Sequence, residues 1–132
     1  MENNWLEDSL ENLENDIWVQ LNTNEGSHLI KTCNALRKKK LKDFTIEDLR
    51  IMIGQGIGLY FLMPIVINVL RNNLFAEGDM YKGDLLKNVL QVDPKFWNSN
   101  KNYWQEIYNL IKGKRQEILE MNFDVFKFEA GA

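Results

Sequence analysis

Hydrophobic residues recur at helical spacing from the first residues of the chain onward. Near the N-terminus, apolar residues follow one another at intervals of three or four, with acidic residues between them: Leu6, Leu10, Leu13, Ile17 and Leu21. An α-helix turns once in 3.6 residues, so this spacing places the apolar side chains on one side. The pattern predicts an amphipathic first helix whose outer face carries Glu7, Glu11 and Glu14.

A second amphipathic pattern follows the polar residues 22–26. Ser27 is its predicted N-cap, because a serine hydroxyl at that position accepts a hydrogen bond from a free backbone N–H. The expected inward positions are Leu29, Ile30, Cys33 and Leu36. Basic residues end the segment, where cations complement the negative end of the helix dipole.

The middle of the chain predicts two closely packed helices. Thr45 and Asp48 have the spacing of a capping box, which begins a third helix ending near Ile53. The apolar run 57–70 then predicts a central helix that Pro64 either starts or kinks. Between the two lie glycines without the lysine or the preceding strand of a phosphate-binding loop, so they predict a sharp turn: Gly54, Gly56 and Gly58.

The C-terminal half continues the helical pattern after a looser stretch, residues 72–83. A short helix is expected around residues 85–90, and Asp93 with Pro94 has the order of an N-cap and a first helical residue. A long last helix is expected from Tyr103 to Ile118, weakened at Gly113. The tail 123–128 is compatible with a helix end or a short strand.

Together these elements predict an all-α fold. We expect one compact domain, residues 1–132, built as a bundle of about five to seven helices around the central helix 57–70. The apolar run has both Asn68 and Pro64 inside it and is shorter than the roughly 20 residues that cross a bilayer, so we expect no membrane span. An acidic start without a basic and apolar leader, and a lone Cys33, indicate a cytoplasmic protein.

Charge is unevenly distributed along the chain. The net charge is −3, the acidic residues of the first 25 positions precede every basic one, and Lys31 to Lys42 form a basic block. A nucleic-acid binder needs a broad basic face, so an acidic surface that suits a basic protein partner is the preferred interpretation. A helical nucleic-acid-binding or regulatory protein that uses the block 31–42 stays open as the alternative.

The residue types needed for catalysis are scarce. His28 and Cys33 lie five positions apart, which places them on diverging sides of a helix, and two such residues are too few for a zinc site. Glu77, Asp79 and Asp84 lack the spacing of a calcium loop and are interpreted as solvated loop acids rather than metal ligands. We therefore expect no enzyme, no cofactor and no metal.

Two sequence blocks resemble a known family. DFTIEDLRIMIGQGIGL at residues 43–59 follows the elements Ser27-His28-Leu29 and Ala35-Leu36-Arg37. The second block runs from Ala76 to Leu86 and reads AEGDxYxGDLL. In order and spacing they resemble the small immunity proteins of bacterial contact-dependent growth inhibition (CDI) systems. The resemblance covers about residues 27–97.

The resemblance implies a function. Members of this family bind the toxin domain that a neighbouring cell delivers from the C-terminus of a large surface protein, and they block its active site or substrate face. It implies a 1:1 complex in the cytoplasm, with neither nucleic acid nor membrane as partner. Many such toxins are nucleases with basic surfaces, and we expect an RNA-cleaving toxin here.

Two surfaces are candidates for toxin binding. The first is the loop with Glu77, Asp79, Tyr81 and Asp84, whose acids suit toxin Lys or Arg side chains while Tyr81 supplies an aromatic anchor. The second is the outer face of the first helix, with Glu7, Glu11 and Glu14. Gly78 and Gly83 are expected to serve the fold.

Overall fold

The computed structural model describes residues 5–18 and 28–131, and every regular element in these ranges is helical. Short 3-10 turns occur at Leu41–Asp43 and Lys112–Lys114, and Ser9 and Lys40 form one isolated antiparallel bridge. The all-α prediction is confirmed. The helices are α1 Leu10–Leu13, α2 His28–Arg37, α3 Ile46–Gln55, α4 Leu59–Asn72, α5 Asp84–Leu90, α6 Pro94–Ser99, α7 Lys101–Ile111, α8 Arg115–Glu120 and α9 Phe126–Glu129.

Helix α4 occupies the centre of the hydrophobic core, as the apolar run predicted. Its buried side chains belong to one continuous core cluster, and it packs against both α3 and α7. Helix α3 also packs along α5. The buried side chains of α4 are Leu62, Met63, Val66, Ile67 and Leu70.

Pro64 lies inside α4 rather than at its start. A proline has no N–H, so it leaves the carbonyl four residues earlier, that of Tyr60, without its helical partner. The hydroxyl of Tyr103 on α7 donates a hydrogen bond to this Tyr60 carbonyl at 3.1 Å. The interior proline is thus compensated by the neighbouring helix, which ties α4 to α7.

The glycine run shapes the turn between α3 and α4. Gly56 and Gly58 both have left-handed backbones, with φ values of 70° and 68°, at the end of α3 and the start of α4. A Cβ on Gly54 would lie 2.7 Å from the Asn88 amide nitrogen, so this glycine permits close packing of α5. The structural interpretation of the glycines is confirmed.

The predicted long first helix is wrong over the residues that the structure describes. Helix α1 has only one turn, and Ile17 on the predicted apolar side is 77% exposed. The Ser9 hydroxyl accepts a hydrogen bond from the Asn12 N–H, which starts α1 anew at residue 10, and Asn15 has a left-handed backbone (φ 52°) just after it ends. Leu6 is also exposed, and Leu21 lies outside the described residues.

Helix α2 matches its prediction only in part. Cys33 and Leu36 are buried as expected, whereas Leu29 and Ile30 in its first turn are exposed. The predicted cap Ser27 lies outside the described residues.

The C-terminal predictions are confirmed in their main points. Asp93 caps α6 by accepting a hydrogen bond from the Lys95 N–H, with Pro94 as the first helical residue. The long last helix is interrupted where Gly113 weakens it: α7 ends before a 3-10 turn, and α8 continues after it. Of the two alternatives for the tail, the structure has the helix: α9 begins at Phe126. Phe128 of this helix is buried in the core.

Candidate functional site

The acidic loop, residues 77–83, connects the end of the α4 region to α5 and is held by the first residue of α5. The Asp84 carboxylate accepts hydrogen bonds from the N–H groups of Gly78 at 2.7 Å, Met80 at 3.0 Å and Tyr81 at 3.3 Å. Asp84 is only 1% exposed. The expectation that Asp84 contacts a partner directly is therefore corrected: its oxygens face the backbone of its own loop.

A second carboxylate holds the same loop from α3. Glu47 accepts a hydrogen bond from the Asp79 N–H at 2.8 Å and another from Arg50 Nε at 2.6 Å. Arg50 Nε also lies 3.8 Å from an oxygen of Asp84, so one guanidinium links the two carboxylates. The pKa of Glu47 is lowered, chiefly by the hydrogen bond from Arg50. Burial acts in the opposite direction and raises this pKa, while the hydrogen bond from the Asp79 N–H lowers it further.

This pKa shift predicts how Glu47 contributes to stability with pH. Because the folded protein lowers the pKa of Glu47 below its ordinary value of 4.5, the stabilising contribution is present above that value and is lost as pH falls through the lowered pKa. We expect the difference in free energy of unfolding between the wild type and Glu47→Gln to be constant near neutral pH and to shrink below it. Urea unfolding of both proteins between pH 7 and pH 3 measures the difference, and a gap that widens with acid would contradict the prediction.

Gly78 allows the loop to approach both carboxylates. A Cβ at this position would lie 2.6 Å from Oε1 of Glu47 and 3.2 Å from Oδ2 of Asp84. Any side chain at residue 78 must therefore displace the loop or the two acids. The expectation that Gly78 serves the fold is confirmed by this geometry.

The outer surface of the loop combines acidic and apolar side chains. Glu77 and Asp79 are exposed, Met80 is 63% exposed, and Tyr81 is 41% exposed. The Tyr81 ring has the Lys87 ammonium 5.6 Å from its centre. Met80 is part of this surface although it was not predicted from the sequence. The available signal was its position, a large apolar residue in a polar loop between Asp79 and Tyr81.

The second predicted surface does not form the open acidic helix face that was expected. Glu14 pairs with Arg37 at 2.9 Å, and Glu7 pairs with Lys42 at 3.1 Å. Glu11 is half-buried, and its Oε2 atom is enclosed by protein. Glu7 and Glu14 are thus each paired with a cation of the same chain. Of the three acids, Glu11 lies within α1, Glu14 caps its C-terminal end, and Glu7 precedes it.

The basic block 31–42 is partly used within the chain as well. Arg37, one of the basic residues at the end of α2, is fully buried, with its guanidinium 4.7 Å from the Trp18 ring centre. Lys39 pairs with Asp48 at 2.6 Å. These pairs reduce the free positive charge that phosphate binding would need, and they count against the nucleic-acid alternative.

His28 and Cys33 do not come together as a catalytic pair. His28 is exposed and lies 3.5 Å from the Thr32 hydroxyl, while Cys33 is 2% exposed and its burial raises the pKa of the thiol. Within residues 5–18 and 28–131, no group of three or more His, Cys, Asp or Glu residues is arranged to hold a metal ion. In the same ranges no helix has the length and apolar character needed to cross a membrane.

Comparison with known proteins identifies the family. No curated protein matches the chain. A family model described as CDI immunity proteins matches residues 12–107, which include the acidic loop and both helices that hold it, α3 and α5. This match covers well over half of the chain and extends the resemblance seen in the two sequence blocks. The chain belongs to the family of CDI immunity proteins.

Proposed function

We propose that this immunity protein neutralises its cognate toxin domain by docking the acidic loop onto the toxin and covering its active site or substrate surface. One observation supports this most: exposed acids and exposed apolar side chains lie next to each other on a loop whose backbone is held by hydrogen bonds. Glu77 and Asp79 supply charge for toxin Lys or Arg residues, while Met80 and Tyr81 supply apolar contact. A charged rim with an apolar centre is the usual arrangement of tight protein interfaces.

The acidic character of the loop favours a toxin with a basic surface. Nucleases bind phosphates with Lys and Arg, so we propose a nuclease, and specifically an RNA-cleaving one, as the partner. A 1:1 complex in the cytoplasm would bury about 1,600 Å² in total, as other tight inhibitors do. In this proposal the chain acts by occupancy and not by catalysis.

Co-expression tests the proposal. Cells that produce the cognate toxin domain are expected to stop growing, and cells that also produce this chain are expected to grow. In vitro, RNA cleavage by the purified toxin should fall in proportion to added immunity protein and reach zero near one equivalent. A chain that accumulates in soluble form without restoring growth would refute the proposal. Complete protection at a small fraction of one equivalent would refute action by occupancy.

A further inference from the structure

We propose that Glu47, Arg50 and Asp84 are positioning residues, which hold the acidic loop in its toxin-binding conformation before the toxin arrives. This inference rests on the proposed docking through the loop. It assigns a role in binding to three side chains that act through the loop backbone and through each other: Asp84 is buried, and Glu47 and Arg50 are partly buried.

Four consecutive backbone N–H groups of the loop donate to these carboxylates. Those of Gly78, Met80 and Tyr81 donate to Asp84, and that of Asp79 donates to Glu47. Two carboxylates from two different helices thus accept every backbone N–H of residues 78–81, the segment that carries Asp79, Met80 and Tyr81. Hydrogen bonds to charged acceptors are stronger than neutral ones, so this segment is held more firmly than an ordinary surface loop.

Arg50 makes this arrangement of two carboxylates stable. Glu47 and Asp84 approach the same glycine, and without a cation between them their charges would repel each other. Arg50 donates to both oxygens of Glu47 and lies within ion-pair distance of Asp84. The backbone of Arg50 is tied to α5, since its carbonyl accepts a hydrogen bond from the Asn88 side chain at 2.9 Å.

A fixed loop binds more tightly because the ordering cost is met before association. When only a fraction of molecules has the competent loop conformation, the apparent Kd rises in inverse proportion to that fraction. Loosening the loop should therefore weaken binding even though every contacting side chain remains. The contribution belongs to preorganisation and not to a new contact.

Two variants test the inference, each with a different chemistry. Glu47→Gln keeps the shape of the side chain but weakens the acceptor of the Asp79 N–H, and Gly78→Ala displaces the loop without any change of charge. We expect each to raise the Kd for the toxin domain about tenfold, with a larger effect on Gly78→Ala. We also expect faster hydrogen exchange at the backbone amides of residues 78–81 in the free protein.

The matched control is Asp48→Asn, next to Glu47 in the first turn of α3. Asp48 accepts hydrogen bonds from Thr45 N–H and Lys39, so the substitution destabilises the same helix without touching the loop. We expect the control to lower the Tm while the toxin Kd stays within about twofold of the wild type. An equal loss of affinity in the control would overturn the positioning role, because helix stability would then explain the effect.

The two measurements separate failure of this inference from failure of the docking proposal. Unchanged exchange at residues 78–81 in both loop variants would show that Glu47 and the close approach at Gly78 do not hold the loop, which overturns the inference itself. Faster exchange with an unchanged toxin Kd would show that the loop is not the docking surface, which overturns the proposal on which the inference rests. Faster exchange together with weaker binding supports both.

Discussion

Replacing Asp84 by alanine is expected to lower the free energy of unfolding by about 2 to 4 kcal/mol and to abolish detectable toxin binding. The carboxylate is buried and accepts three backbone hydrogen bonds, so its removal leaves three N–H donors of the acidic loop without a partner. It also leaves Arg50 with one of its two carboxylate neighbours missing. Chemical denaturation gives the stability change, and surface plasmon resonance with the toxin domain gives the binding change.

The control for this substitution is Asp124→Ala. Asp124 is exposed and accepts one backbone hydrogen bond, from Phe126 N–H at 2.9 Å, at the start of α9. Its loss should cost about 1 kcal/mol, as for an ordinary cap, and should leave toxin affinity unchanged. If the two substitutions had equal effects on stability, the account of Asp84 as the buried organiser of the loop would be wrong.

Helix boundaries that depend on hydrogen bonds between residues close together in the chain could be predicted from the sequence. The capping box of Thr45 and Asp48 has both of its hydrogen bonds, and the Asp93-Pro94 start of α6 is also present. In each case the residues that make the bond lie within three positions of each other, so the sequence contains the whole interaction. The same reasoning found the interruption at Gly113, where low helix propensity acts locally.

The first helix shows where periodicity misleads. Apolar residues at helical spacing indicate which side a helix would bury, but the competing side-chain bonds of Ser9 and Asp8 to nearby N–H groups are available to the same segment. Those bonds start a new turn at residue 10, and the left-handed Asn15 then follows its end. Local polar side chains therefore outweighed the hydrophobic pattern.

The candidate site could be located from the sequence, but the roles within it could not. The acids of residues 77–84 look alike in the sequence, and only their burial separates Asp84, which holds the loop, from Glu77 and Asp79, which are exposed. Glu47 lies 32 positions from Asp79, so its hydrogen bond to the loop depends on the packing of α3 against α5. Tertiary contacts of this kind have no local signal.

The uneven charge distribution takes on a different meaning in the folded chain. The acidic N-terminal segment and the basic block are separate in the sequence, yet in the structure Glu14 pairs with Arg37 and Glu7 with Lys42. Part of the charge in both segments is therefore paired between them. The exposed acids of the loop are thus better placed than those of the N-terminal segment to meet a basic partner, since a free charge steers association more than one already paired.

Charge reversal at the loop is expected to separate the two candidate surfaces. Asp79→Lys should weaken toxin binding about 100-fold, or about 2.7 kcal/mol, because it replaces attraction to a toxin cation by repulsion. Glu7→Lys, the matched reversal on the N-terminal segment, should change the Kd by less than about threefold, since that side chain is exposed and already paired with Lys42.

A pull-down of the toxin domain followed by titration at two salt concentrations measures both changes in Kd, and the effect of Asp79→Lys should shrink at high salt. Thermal melts of each variant check that the fold is kept. We expect the Tm of Asp79→Lys to stay close to that of the wild type, because the Asp79 side chain is exposed and the hydrogen bond from its backbone N–H to Glu47 does not depend on the side chain. Unchanged affinity in Asp79→Lys would remove the acidic loop from the interface, whereas a large loss in Glu7→Lys would move the interface to the N-terminal segment.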